Sequence, residues 1–162
     1  ETFVIPEATI LKETAKIYDL QNPTAKMSKS GDPKGLVNIM DDSSVITKKI
    51  KSAVTDTDRD IRFDPANKAG VSNLLGILSL LSGTSIPALE SEFEGKGYGD
   101  LKGAVADAVV AEFEPIRARA LELLADPAEL DRMLAINAAR ANEIAEATLA
   151  RVYDAVGFLP RG

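Results

Sequence analysis

The sequence predicts a mainly α protein with a short strand and a basic loop ahead of its helices. Three observations carry this. From Asp42 onward, apolar residues recur at helical spacing almost to the end of the chain. Between Gly70 and Gly83 they are so dense that a helix there must be covered on most sides. Near the start, Phe3-Val4-Ile5 is a short apolar run stopped by Pro6, which suits a buried strand end better than a helix.

Taken in order, residues 7–15 carry little periodicity, and Ile17, Tyr18 and Leu20 lead through Asn22-Pro23 into a lysine-bearing loop. On pattern alone Ile17 is a core aliphatic. Asp42 or Ser43 can cap the next segment, where Val45, Ile46, Ile50, Ala53 and Val54 fall within half a helical circumference. Lys49 lies inside that apolar arc, so either its stem snorkels with the ammonium in water or it pairs with a carboxylate such as Asp56. The segment Thr55 to Pro65, rich in Asp with Arg59 and Arg62, reads as an irregular connection. Leu74, Leu75, Ile77, Leu78, Leu80 and Leu81 then define a central helix closed by Gly83. Ser85 caps a short segment carrying Leu89 and Phe93. Gly95, Gly97 and Gly99 around Lys96 and Tyr98 form a turn rather than a phosphate loop, since no strand precedes them and no GxxxxGK[ST] pattern is present.

A long helix follows, with Val105, Val109, Phe113, Ile116, Ala120 and Leu124 on one stripe and a bend expected at Pro115. Asp126-Pro127-Ala128-Glu129 opens a last helix over about 127–156, with Leu130, Leu134, Ala138, Ala141, Ala145, Leu149, Val152 and Val156 on one face. Across 104–156, acidic residues outnumber Arg by ten to five and Lys is absent, so a broad phosphate-binding surface is not expected there; Arg117, Arg119, Arg132 and Arg140 could touch RNA only singly.

Composition limits the function classes. A chain of 162 residues can bury roughly 70% of its unfolded surface. With neither Cys nor His, it has no disulfide framework and no zinc site, and no metal site is expected. A net charge of −6 argues against indiscriminate nucleic-acid binding, DNA included, although local basic patches still act over the roughly 8 Å of physiological screening. No run of about 18 apolar residues and no amino-terminal signal pattern occur, so a cytoplasmic protein without a membrane segment is the default expectation. The chain opens on Glu1 with no methionine and reads as the later part of something longer.

The chemistry is concentrated in Lys26-Met27-Ser28-Lys29-Ser30, set off by Pro23 and by Gly31-Asp32-Pro33. The lysines offer compact, movable positive charge, the hydroxyls and loop N–H groups offer directional donors, and Gly31 permits close backbone approach: the equipment for holding a polyphosphate. The plain alternative is a solvated basic loop. The order of the residues favours the first reading, because a given five-residue string arises by accident in a chain of this length on the order of once in ten thousand.

That string resembles the KMSKS element of class I aminoacyl-tRNA synthetases. The resemblance extends along nearly the whole chain: Phe3-Val4-Ile5-Pro6-Glu7, Lys48-Lys49-Ile50-Lys51-Ser52-Ala53-Val54-Thr55-Asp56, Gly70-Val71-Ser72-Asn73-Leu74-Leu75 and Tyr98-Gly99-Asp100-Leu101-Lys102 look like the second half of bacterial tryptophanyl-tRNA synthetases. The tyrosyl enzymes share the loop but not these helical segments. Ala69 stands where the family usually has proline, a departure that touches loop stiffness.

The resemblance implies that 1–40 is the end of a Rossmann-type catalytic domain, with its last strand and the loop at 26–30, and that 41–162 is a helical anticodon-binding domain. It implies ATP with Mg²⁺, tryptophan and tRNA(Trp) as ligands, and a homodimer in the complete enzyme. Lys26 and Lys29 take the catalytic role, Ser28 and Ser30 serve as hydroxyl donors, and Met27 lies near the adenine or the loop hinge. Ile17, nine positions before the motif, is placed against the adenine, which replaces the core reading. Arg59, Arg62 and Lys96 are candidates for tRNA contact from charge and loop placement. The family's Gly- and His-bearing ATP motif cannot be present in a chain without histidine, and its tryptophan pocket and Gly-x-Asp-Gln loop belong to the other half, so the 162 residues are expected to be inactive alone. Two other readings stand beside this one: a free-standing helical RNA-binding or scaffold protein with a vestigial loop, and a tyrosine-specific synthetase.

Overall fold

The computed structural model of the protein describes residues 2–10 and 15–159. Of the weakly periodic stretch 7–15, residues 11–14 lie outside that description. Five helices are present: α1 (Ser43–Lys51), α2 (Ala69–Ser82), α3 (Ile86–Glu92), α4 (Tyr98–Ala125) and α5 (Pro127–Val156). Contacts divide the chain into two units, Ile10–Ala118 and a second composed of Glu1–Thr9 with Arg119–Gly162.

The first unit has a continuous apolar core, and α2 is at its centre. Val71, Leu74, Leu75 and Leu78 of α2 are buried together with Ile46 and Ile50 of α1, Leu89 beside α2 on α3, and Leu101, Val105 and Val109 of α4. Gly70 lets α2 begin against the end of the α1 segment: a Cβ there would stand 2.0 Å from the carbonyl oxygen of Val54. Lys49 pairs with neither water alone nor Asp56. Its Nζ donates to Asp41 at 2.7 Å and to the Leu36 carbonyl at 2.8 Å, fastening the segment after the lysine loop to α1. An ammonium in an apolar arc needs charged or carbonyl partners, and the nearest carboxylate in the fold is Asp41.

In the second unit, Asp126 accepts a hydrogen bond from the Glu129 N–H at 3.1 Å and Pro127 sits at the first helical position, as the capping pattern requires. None of the residues of α5 is buried. Leu134, Ile144 and Val156, on or beside the apolar face read from its spacing, are 57, 69 and 59% exposed. The α4 stripe divides in the same way: Val105 and Val109 are buried, whereas Ile116 and Leu124 are 46 and 60% exposed. Helix α4 runs on through Pro115 from Tyr98 to Ala125.

The strand expected at the start does not form. Phe3, Val4 and Ile5 are 64, 93 and 84% exposed, and no β-strand occurs among the described residues. A strand must exchange N–H and C=O bonds with a neighbour, and three apolar residues without one gain nothing from extending. The reading of a Rossmann-type strand ahead of the helices is therefore corrected to an essentially all-helical chain, whose single extended pairing among the described residues is an isolated bridge between Tyr18 and Lys26.

Among the described residues no single helix is long and apolar enough to cross a membrane. Helices α2 and α3 are the most apolar consecutive pair, but they are bent by 106° relative to each other and most of α2 is in the core.

Candidate functional site

The lysine loop is built on a narrow, well-bonded base. Tyr18 lies opposite Lys26, with the Asp19 N–H donating to the Ala25 carbonyl at 2.9 Å and the Met27 N–H to the Ile17 carbonyl at 3.0 Å. Asp19, 7% exposed, accepts from the backbone N–H groups of Gln21 at 2.8 Å and Asn22 at 2.9 Å, which sets the turn leading into Pro23. The returning arm of the loop is fixed by the Leu20 N–H donating to the Gly35 carbonyl at 3.0 Å. Glycine at position 35 permits this close approach: a Cβ there would sit 2.0 Å from the Asp19 carboxylate, which would have to shift. On the other side, the Val54 N–H donates to the Leu20 carbonyl at 2.7 Å and ties the base to the end of the α1 segment.

Above this base the loop faces solvent. Lys26, Ser28, Lys29 and Ser30 are exposed, and neither lysine takes part in an ion pair among the described residues. The two serine hydroxyls lie 3.0 Å apart, and the Gly31 N–H donates to the Ser28 carbonyl at 3.1 Å to close a tight turn. Met27 instead packs against the apolar core, so the loop is pinned at its second residue while its flanking charges remain available. Ile17 is half-buried beside a cavity of about 560 Å³ that Tyr18, Phe63, Ser72 and Asn73 also line.

The structure thus joins Ile17 to the loop through a direct backbone bond. It does not join Arg59, Arg62 or Lys96 to it. Arg59 and Arg62 are exposed on the connection between α1 and α2, and Lys96 stands in the glycine turn with its Nζ 4.8 Å from the centre of the Phe93 ring. Of the arginines further on, Arg117 pairs with Asp42 and Glu114, Arg119 with Glu122, and Arg132 with Glu129.

Two sets of residues escaped the sequence reading. Asn73, 8% exposed inside apolar α2, accepts from the Tyr18 N–H and donates to the Tyr18 carbonyl, both at 2.9 Å. A carboxamide in a buried helix must find polar partners, and that was the available signal. Lys68 forms a second cluster: its Nζ is 3.2 Å from Asp56, 2.8 Å from Asp58 and 3.0 Å from Asp60, with the Tyr98 hydroxyl at 3.3 Å. The bond to Asp58 is the main cause holding the Lys68 ammonium charged beyond its usual range. Burial pushes the Tyr98 phenol up to about 12, and its hydrogen bond to Asp56 adds to the shift. Burial works against the Asp56 carboxylate, but bonds from Tyr98, the Asp58 N–H and Lys68 together hold it below the usual range. The dense Asp signature of this segment therefore encloses an internal cation. Among the described residues no group of side chains is arranged to hold a metal ion.

The loop thus presents an accessible pair of ammonium groups on a turn anchored to a helical body. The chain belongs to the tRNA synthetases class I (W and Y), whose family model matches residues 1–114. Within that family it matches bacterial tryptophanyl enzymes over most of its length. It is 59% identical to the tryptophan–tRNA ligase of Leifsonia xyli over 98% of this chain and 48% of that protein. The crystal structure of tryptophanyl-tRNA synthetase from Mycoplasma pneumoniae superposes with a TM-score of 0.80 at 33% identity, covering 92% of this chain and 47% of that one. The enzyme from Campylobacter jejuni complexed with ADP and tryptophan gives 0.63 at 28% identity, covering 97% and 48%. The chain spans about half the length of the relatives it matches.

Proposed function

We propose that this chain supplies the pyrophosphate-holding loop and the tRNA-facing helices of a ligase that joins tryptophan to tRNA(Trp). In that reaction the tryptophan carboxylate attacks the α-phosphorus of ATP, the bond to the bridging oxygen breaks, and pyrophosphate leaves; Mg²⁺ carried with the nucleotide would supply further positive charge to the phosphate oxygens. Tryptophan then passes from the adenylate to the terminal ribose of the tRNA. The observation that carries the reading is the intact Lys26–Ser30 element, with both ammonium groups exposed and its base fastened to Ile17. Charge grows on the leaving oxygens as the α-phosphorus is attacked, so preplaced cations at Lys26 and Lys29 stabilise that state more than the ground state. Ser28 and Ser30 add hydroxyl donors, Ile17 lies against the adenine, and Met27 acts as the hinge anchor. The ADP and tryptophan described for the Campylobacter jejuni enzyme support the ligand assignment.

In this reading residues 1–40 handle the nucleotide and 41–162 face the tRNA, with Arg59, Arg62 and Lys96 as contacts to its phosphates. The complete protein works as a cytoplasmic homodimer. The 162 residues do not activate tryptophan by themselves, because the family's histidine-bearing ATP motif has no counterpart in a chain without histidine. The test is tryptophan-dependent ATP–pyrophosphate exchange. A complete polypeptide carrying this sequence is expected to exchange with tryptophan and not with tyrosine, and the 162-residue chain with neither. Exchange by the short chain, or a tyrosine preference in the long one, contradicts the reading.

A further inference from the structure

We propose that Asn73 is a positioning residue that makes the base of the lysine loop part of helix α2. The side chain bonds both backbone groups of Tyr18, accepting its N–H and donating to its carbonyl at 2.9 Å each. That is the exchange an adjacent β-strand makes with one residue of its neighbour. Here a single carboxamide, held on a rigid and buried helix, takes the place of the strand. Asn73 is 8% exposed, and its neighbours Leu74 and Leu75 are among the most deeply buried residues, so the carboxamide has little freedom to move with the loop.

Tyr18 is also where the loop closes. On its other edge it faces Lys26, and the bonds from Asp19 to Ala25 and from Met27 to Ile17 flank it at 2.9 and 3.0 Å. Residues 17–19 are thus held between α2 on one side and residues 25–27 on the other. Asn73 fixes the position of residues 17–19, and the bridge carries it to residues 25–27. Ile17 and Lys26, which the functional reading places on the adenine and the leaving phosphates, are therefore set relative to each other by a residue 47 positions beyond the lysine. The exposed residues Ser28, Lys29 and Ser30 lie beyond this clamped strip.

This rests on the proposed function for its catalytic consequence, but its structural half can be read without activity. Amide hydrogen exchange on the 162-residue chain is the first arm. In Asn73→Ala the amides of Asp19 and Met27 are expected to exchange about tenfold faster, since the lost bonds free the strip, while those of Leu75 and Val105 keep their protection. Asn73→Asp, which fits the same space and keeps the acceptor for the Tyr18 N–H but sets a carboxylate against its carbonyl, is expected to release the same two amides as well. The second arm is tryptophan-dependent pyrophosphate exchange by the complete polypeptide. There Asn73→Ala should lower kcat about tenfold with KM for tryptophan within about twofold, a split that general destabilisation does not produce.

Unchanged protection at Asp19 and Met27 in either variant overturns the clamp. Released amides with an unaltered kcat overturn the positioning role. Should Asn73→Ala also release the core amides, the Asp variant decides by the same two criteria. A wild-type complete polypeptide that lacks tryptophan-dependent exchange refutes the functional reading instead, and the hydrogen-exchange arm then judges the clamp alone.

Discussion

Two sets of lysines in this chain have the same chemistry and opposite surroundings. Lys26 and Lys29 stand exposed on a turn without ion pairs among the described residues. Lys68, 8% exposed, is enclosed by Asp56, Asp58, Asp60 and Tyr98, and Lys49 is held by Asp41 and a backbone carbonyl. The difference teaches where charge is available. An enclosed ammonium has its field neutralised by its neighbours and serves to order the backbone around it. An unpaired one keeps its field for a ligand.

Breaking the comparison at its exposed side gives the largest expected effect. Lys29→Ala in the complete enzyme should slow tryptophan activation by roughly 100- to 1,000-fold, about 3–4 kcal/mol of barrier, with the thermal midpoint unchanged. Pyrophosphate exchange and calorimetry on the same preparation check both halves of that statement. Breaking it at the enclosed side should do the reverse. Lys68→Ala leaves three aspartates facing one another without their cation and should lower the melting temperature on the order of 10 °C, as read by circular dichroism of the 162-residue chain.

A smaller effect is expected from Gly35→Ala, where the new methyl group meets the Asp19 carboxylate. The strain should amount to about 1–3 kcal/mol and be confined to the loop base, so proteolysis should cut near residues 19–35 first while α2 and α4 survive. The smallest effect sharpens the electrostatic half of the comparison. Without histidine, the melting temperature should be flat between about pH 6 and pH 9. Asp41, Asp56, Asp60 and Asp64 are all held below the ordinary value of 3.8, so their ionised forms favour the folded chain. That stability is fully present above pH 3.8 and is lost as the pH falls through their lower folded values. Tyr98, raised from 10.0 to about 12, favours the fold while neutral, and its contribution disappears as the pH rises through that interval. A melting curve taken across pH in low salt shows both edges.

Much of the helical chain was legible because a period of 3.6 residues is local, although Asp42 and Ser85 stand at the helix starts without a side-chain cap bond. Asp126-Pro127 and Gly157 bound α5 in the structure as they do in the sequence. What was not legible concerned partners. The apolar run Phe3-Val4-Ile5 reads as a strand end, but a strand is a property of two segments, and among the described residues nothing pairs with it. The apolar face of α5 was equally clear in its spacing, yet no residue of that helix is buried. Lys49 required a carboxylate, and Asp41 and Asp56 lie at similar distances from it in sequence, so only the fold could choose. The loop itself was legible from five residues, whereas its supports were not: Asp19, Gly35 and Asn73 lie outside the motif and act through the backbone.

In the function proposed above, Lys26 and Lys29 are charges reserved for a departing diphosphate. The direct measurement is tryptophan-dependent pyrophosphate exchange and thermal unfolding of the complete enzyme with both lysines changed to alanine. The expected result is a loss of exchange beyond that of either single variant with an unaltered unfolding curve. Normal exchange, or a loss matched by collapse of the fold, would contradict it.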